Sequence, residues 1–575
     1  MRKLYSELNK KRKEIAKESP TYIYQKDFLD GTYLIDTPGY YVLKEDIVFH
    51  PNPDADYMPN KDKYKTMGFS LGFFAVIAIY ADGVYLDLNG HCVSASKEFT
   101  LQQRFFSIIE LANSPFIPKQ GPSDFSDVNT FRSASNVMIR KGYLGRTSHH
   151  GIHGNDASNV LLEKLTIHKF ENVGIALNGG SNVVAHKLKI KNNKNAPVLA
   201  TYSAARFSKM FAHKLLNSPL TNLQRHELTQ RLNALEAEMN KTFSEIMEKG
   251  STTSKLFANK HGLPDGNVYG FLAKNRGVGV NDFETEGAKI SNIFLRKVSI
   301  KNLQCRVKEI VALSKLDGTG AQNDVAGAVL QIDEITDSEG KYSGTLLSEL
   351  QLYLAQLSIE LNMPIGKNSI TMDVVHWAKN GTNISTLLEL GYKYKYNGDA
   401  MFHVCKAAFG YRFDAIENLS LEKCKYSKIR NFACLGNDTE KYSKSHDASK
   451  REAYTGADTV GLNLSYCSDV NLYKFKGAEL FSANGDAIGI NSVFNSSNVH
   501  LNEVKLRDIK AGTLHKGKWV GENYWEKKSN YTEDLPNGQP QAIGIRYENN
   551  SIVELKEVCI HDLKSCKDPV KIMKV

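Results

Sequence analysis

The side chains best suited to chemistry gather first between Arg146 and Asp156, where His149, His150 and His153 stand with an arginine and an aspartate inside eleven residues. A histidine in such company can shuttle a proton near neutral pH, and His149, His153 and Asp156 could ligate a metal, although no separated ligand motif accompanies them. A second set is formed by two period-2 pairs, Arg412 with Asp414 and Arg546 with Glu548. On a strand each pair shares a face, so the arginine could neutralise a uronate while the carboxylate acts as acid or base; the competing reading is a pair of exposed salt bridges. The third set is Asp458 and Asp486, each three residues ahead of a glycine, Gly461 and Gly489. If those glycines open adjacent turns of a repeat, the carboxylates lie about 5 Å apart, which suits a retaining glycosidase pair, a divalent-cation site or plain turn aspartates. Last, Trp519, Tyr524 and Trp525 lie with several lysines in the excursion 513–540. Aromatic faces and cations suit the lip of a glycan groove, and equally a latch against the body of the protein.

A repeat must position these groups. The phrase small-polar, Asn or Asp, aliphatic recurs as Ser135-Asn136-Val137, Ser158-Asn159-Val160 and Ser181-Asn182-Val183, 23 residues apart, and again near Asn292, Asn418, Asp469, Asn498 and Ser551. Alternating apolar residues such as Val160, Leu162, Leu165 and Ile167 follow it, and a strand opened by glycine precedes it, as at Gly151, Gly174, Gly410, Gly461, Gly489 and Gly544. A unit this small cannot bury its own apolar face and must stack on copies of itself, which predicts a parallel β-solenoid of about ten coils. The recurrent Asn reads as a corner residue whose amide is satisfied by neighbouring turns. Aligning the opening glycines places His153, Ala176, Arg412, Asn463, Asn491 and Arg546 in one outward row. Asn155, Asn178, Asp414, Ser465, Val493 and Glu548 form the next.

The opening segments Pro38-Gly39-Tyr40-Tyr41-Val42-Leu43 and Val84-Tyr85-Leu86-Asp87-Leu88-Asn89-Gly90-His91 resemble those with which right-handed parallel β-helix proteins of the pectin-lyase-like superfamily begin. The resemblance spans roughly residues 30–195 and 266–570 and implies an all-β, right-handed parallel β-helix. It implies no single activity, because that architecture serves lyases, hydrolases, epimerases, tailspikes and surface proteins alike. Asn484-Gly485-Asp486 resembles the Asn-x-Asp segment of polygalacturonase-type hydrolases. The Asp-Asp, Gly-His-Gly and Arg-x-Lys elements of that family are missing. So are the Asp-Pro-His-Asp motif of mannuronan epimerases and the arginine-rich signature of pectate lyases.

The 575 residues carry 73 Lys+Arg against 63 Asp+Glu, a net +10, with 41% hydrophobic residues, a balance that excludes a disordered or collagen-like chain. The positive balance favours an anionic partner, with the charges interspersed and no long basic run or nucleic-acid motif. The charged N-terminus reads as lacking a secretory signal, so synthesis in the cytosol is expected, and the apolar run 67–81 is too short to span a membrane. Eight scattered cysteines without a CxxC pair read as reduced thiols.

The expected organisation is an N-terminal helical cap (1–30) over the open first coil, β-helix coils (31–195), a helical insertion (196–262), coils again (263–306), a mixed insertion (307–396) and C-terminal coils (397–575). Within the first insertion Leu228, Leu232, Leu235, Met239, Phe243 and Ile246 mark an amphipathic helix, with Ser218 as N-cap and Gly250 past its end. The functional expectation is a polysaccharide-engaging protein that cleaves or modifies an acidic glycan along an elongated polar face. Its catalytic candidates are His150, His153, Arg412, Asp414, Asp458 and Asp486, and its substrate-binding candidates Arg146, Trp519, Tyr524, Trp525 and Arg546. A single-site enzyme requires the catalytic group to converge in one cleft. The alternative is a non-catalytic structural or surface protein, such as a virion or fibre component, that self-associates, for example as a trimer, or assembles into a particle through its insertions. No cofactor is expected, a calcium ion at the aspartates having no further ligand pattern behind it.

Overall fold

The structure, a computed structural model, describes residues 2–55, 57, 75–101, 107–113, 131–170, 172–192, 209, 212–213, 215–249, 268–275, 290–305, 350, 353–354, 357, 360–361, 407–431, 458–483, 485–493, 496–515, 518–520, 540–548 and 553–575. Parallel strands stack in two long sheets, of eleven and twenty strands. Each complete turn of chain gives one strand to the smaller sheet and two to the larger, as in Ala408–Asp414, Ile416–Glu422 and Lys425–Asn431. Each strand pairs in register with its counterpart one turn later, so that Arg412 meets Asn463, Ser420 meets Asn471 and Lys425 meets Lys476. We call these the first, second and third sides of the stack. Inward residues of all three meet in one apolar core running from Ile23 to Ile560, and the expected Val160, Leu162, Leu165 and Ile167 lie wholly inside it.

Local sequence explains how the chain turns. Every fifth residue across the second and third sides takes a left-handed conformation, for example Asn159, Lys164 and Lys169, or Asn418, Lys423 and Lys428, with φ between +54° and +61°. Asn tolerates this region best, which explains the recurrent phrase, while the unbranched lysines accept a modest strain at the other corners. The Asn side chains also form the expected ladder: Asn182 donates to Asn159 at 3.1 Å, Asn292 to Asn182 at 2.8 Å and Asn418 to Asn292 at 2.6 Å. The opening glycines form a column for a different reason. A Cβ on Gly174 would lie 2.6 Å from the carbonyl oxygen of Gly270, and one on Gly410 2.5 Å from that of Gly461. Backbone packs on backbone there, and no side chain fits.

Two helices flank the stack. The N-terminal helix Arg2–Ile15 does not close the open end as expected; it lies along the outside of the second side. There its Leu8 and Ile15 cover the outward column Tyr85, Met138, Leu161, Val184 and Phe294. Tyr5 donates to Glu163 at 2.8 Å while Arg12 sits over the Tyr85 ring, so the helix runs against the direction of stacking. Fourteen residues at about 1.5 Å each span about four strand spacings, matching that column. The long helix is Asn222–Lys249, and its Leu228, Leu232, Leu235 and Met239 are buried as the periodicity predicts. Its N-cap is Thr221 rather than Ser218. Thr221 Oγ1 accepts the Gln224 N–H at 3.2 Å and Gln224 returns a bond to the Thr221 N–H at 3.0 Å, a reciprocal box that satisfies two end amides. Ser218 instead donates to Leu215 O in the preceding turn. No described helix is long and apolar enough to cross a membrane.

Candidate functional site

The outward rows expected from the glycine register form on the first side. His153 is stacked on Ala176, then Leu272, Arg412, Asn463, Asn491 and Arg546, and Asn155 on Asn178, Lys274, Asp414 and Ser465. The rows do not make an exposed ladder. Arg412 and Asp414 are 6% and 8% exposed, and a third outward row, Val173, Tyr269, Phe409, Val460, Ile488 and Ile543, is a separate apolar cluster on the same face. The first side is therefore buried on both faces over these turns, which removes the exposed salt-bridge reading of Arg412 and Asp414.

At the N-terminal end of this face the histidines gather around a carboxylate that the sequence reading missed. Glu110 is aligned with His153 in the neighbouring turn, and both its oxygens lie 2.8 Å from His153 Nδ1. Ser107 donates to the same carboxylate at 3.0 Å, and Asn178 Nδ2 faces His153 Nε2 at 3.2 Å. Nδ1 thus faces an acceptor and Nε2 a donor. His150 lies beside His153, ring centroids 4.8 Å apart, and shares a close Nδ1 contact with His149, whose Nε2 meets Asn172 Nδ2 at 2.9 Å. Burial, and then the charge of His153, hold His149 well below the ordinary histidine range; His150 is held down likewise, by burial first and both neighbouring histidines next. The signal for Glu110 was its place in Ser107-Ile108-Ile109-Glu110, a lone carboxylate in an otherwise apolar strand.

Three strand steps further on, about 14 Å at about 4.8 Å a step, the second group forms. Arg412 Nε donates to Asp414 Oδ2 at 2.7 Å and its Nη1 to the Tyr269 hydroxyl at 3.3 Å. Lys274 adjoins Asp414 in register, and burial pushes its ammonium down to about 8, partly offset by the Asp414 charge. Lys274 too escaped the sequence reading, because Gly270 was not counted among the opening glycines. His150 and His153 thus converge, as do Arg412 and Asp414, but the two groups do not share one cleft. Arg146 sits at a left-handed corner on the third side, where its charge acts on His168.

The third group is at the corner where third-side strands pass into the first side. Asp458 and Asp486 precede the paired strands Thr459–Ser465 and Ala487–Val493, one turn apart as expected. Asp458 Oδ1 accepts the Asp486 N–H at 2.8 Å, and Asp486 Oδ1 accepts the Gln541 N–H at 2.9 Å. Both residues are partly buried. Burial, reinforced by the Asp486 charge, raises Asp458 to about 7; Asp486 is also raised by burial, against the pull of Arg546 and Lys567. Arg546 itself donates from Nε to Asn491 Oδ1 at 2.8 Å. Trp519 lies in a short antiparallel hairpin, paired with Leu514, while Tyr524 and Trp525 fall outside the described residues. Among the described residues no set of three His, Cys, Asp or Glu side chains is placed to hold a metal ion. No protein-family model matches the chain, and no curated protein matches its sequence.

Proposed function

We propose that the protein is a right-handed parallel β-helix of the pectin-lyase-like kind that binds an acidic polysaccharide and hydrolyses it at Asp458 and Asp486. The observation that carries the reading is the pair itself: two carboxylates in adjacent turns, each with one oxygen held by a backbone amide. One strand spacing of about 4.8 Å is close to the separation at which one carboxyl attacks while the other protonates. Asp458, the group that keeps its proton near neutrality, donates to the glycosidic oxygen as the bond to the anomeric carbon breaks. The second oxygen of Asp486 bonds to that carbon, its negative charge favoured by Arg546 and Lys567. Asp458, now a carboxylate, takes a proton from water, whose oxygen displaces Asp486 and restores both groups. The buried histidine and Arg412 groups then support the fold and do not meet substrate.

A second reading has its own observation: both Oδ1 atoms clamp the backbone of the following turn, which is what a non-catalytic solenoid of a virion or fibre would need at a corner. The deciding experiment incubates the full chain and its Asp458→Asn and Asp486→Asn variants with neutral and acidic polysaccharides. New reducing ends are measured, and in parallel the ultraviolet absorbance of unsaturated uronates. Hydrolysis lost in both variants supports the reading. Unsaturated products would replace it with a lyase, and no turnover on any polymer would leave the structural role.

A further inference from the structure

Between its corners, the third side of the C-terminal turns carries outward charge of one sign. Its strands Lys425–Asn431, Lys476–Ser482 and Lys505–Ala511 stack in register, which places Lys425, Lys476 and Lys505 directly above one another. All three are exposed, as are Arg430 and Arg507 in the neighbouring outward columns and Lys301 one turn earlier. The acidic residues of these turns sit at the corners and are engaged: Glu479 with Lys428 at 3.8 Å, Glu503 with Lys474 at 3.6 Å and Asp508 with Lys510 at 2.6 Å. Among the described residues no carboxylate lies within ion-pair distance of Lys425, Lys476, Lys505, Arg430 or Arg507. A row of like charges one strand apart repels itself and is relieved by a counter-charge of matching period.

We infer that this side of the C-terminal turns is a track on which a linear acidic polysaccharide lies along the stacking direction. The cations are spaced by one strand, about 4.8 Å, on a straight sheet, so the partner must be extended and charged at nearly every unit. A chain of uronates meets both demands. Single-stranded nucleic acid is a poorer fit, since its binders add aromatic platforms for the bases, and Phe481, half-buried, is the one aromatic outward residue on these three strands. The track also reaches the proposed reacting pair: Thr459 Oγ1 donates to Phe481 O at 2.9 Å, and Asn431 Nδ2 to Asp458 O at 3.1 Å, across the corner between the two sides. The inference rests on the preceding reading for the class of polymer, and its test needs no turnover.

The test measures binding of the full chain to polygalacturonate over a range of salt. It compares the wild type with Lys425→Gln/Lys476→Gln/Lys505→Gln and with a charge-matched control, Lys10→Gln/Lys13→Gln/Lys17→Gln, exposed on the N-terminal helix and the turn that follows it. At low salt the track variant is expected to bind on the order of tenfold to a hundredfold more weakly. Its dependence of log K on log salt should flatten by about 2, three contacts at about 0.7 each, while the control stays within about twofold. Equal losses in the two variants, or no binding by the wild type, would overturn the track. Displacement of polygalacturonate by poly(dT) at equal charge would overturn the choice of polymer. Binding is read without turnover, so that a failure of catalysis and a failure of the track give different results.

Discussion

Replacing Asp458 by Asn isolates the cost of its charge, because Asn keeps the corner hydrogen bond and removes the charge. Burial raises this carboxyl to about 7 from the ordinary 3.8, so over that interval the folded chain holds a proton that the unfolded chain has released. Stability therefore falls as pH rises from 3.8 towards 7, and above about 7 the folded protein carries the whole cost of a charge in a poorly solvated corner. Three pH units at about 1.36 kcal/mol each set a ceiling of roughly 4 kcal/mol. The partial exposure of the residue and its electrostatic interaction with Asp486 reduce that to about 1–3 kcal/mol. Asn keeps an oxygen for the Asp486 N–H, 2.8 Å away in the wild type, and carries no charge. The variant should thus melt higher than the wild type at pH 8, by about 1–4 °C in calorimetry, with the gap closing towards pH 4. A variant that melts lower at pH 8, or a gap that ignores pH, would refute the argument.

Other substitutions test the frame around that pair. Glu110→Ala removes the acceptor of His153 Nδ1 and Ser107 on a buried face and should cost about 3 kcal/mol in a denaturant titration, with Glu110→Gln about half as costly. Gly410→Ala places a Cβ 2.5 Å from the Gly461 carbonyl oxygen, so the turns must separate; a loss of about 3 kcal/mol or more, or insoluble expression, is the expected result. Leu8→Ala should cost about 2–3 kcal/mol and speed hydrogen exchange in the strands bearing Met138 and Leu161, leaving the strands around Val499 unchanged.

The stacked repeat was legible because it rests on backbone rules. Asn at a left-handed corner and glycine where two backbones touch each leave one residue type per turn. The helix stripe was legible for the same reason, its period being a property of the helix. The N-cap was not, since Ser218 with Pro219 offers a helix start as good as Thr221 with Gln224, and only the reciprocal bonds decide between them. The burial of the first side also escaped the sequence. Arg412 and Asp414 read as an exposed pair because outward on a strand means solvent unless something covers the sheet, and period-2 spacing is silent on covering.

The third side shows the sharpest limit of linear reading. Lys425, Lys476 and Lys505 are 51 and 29 residues apart, so no window along the chain contains a basic run, yet stacking brings them to neighbouring strands. The outward column of the second side changes character along the same axis. It is apolar from Tyr85 to Phe294, where the N-terminal helix covers it, and then becomes Ser420, Asn471, His500 and Glu554. On the second side the N-terminal turns thus bury their outward column against the helix, whereas the C-terminal turns carry polar residues there. Exposed like charges cost stability in an isolated protein and are offset when a polyanion displaces their counter-ions.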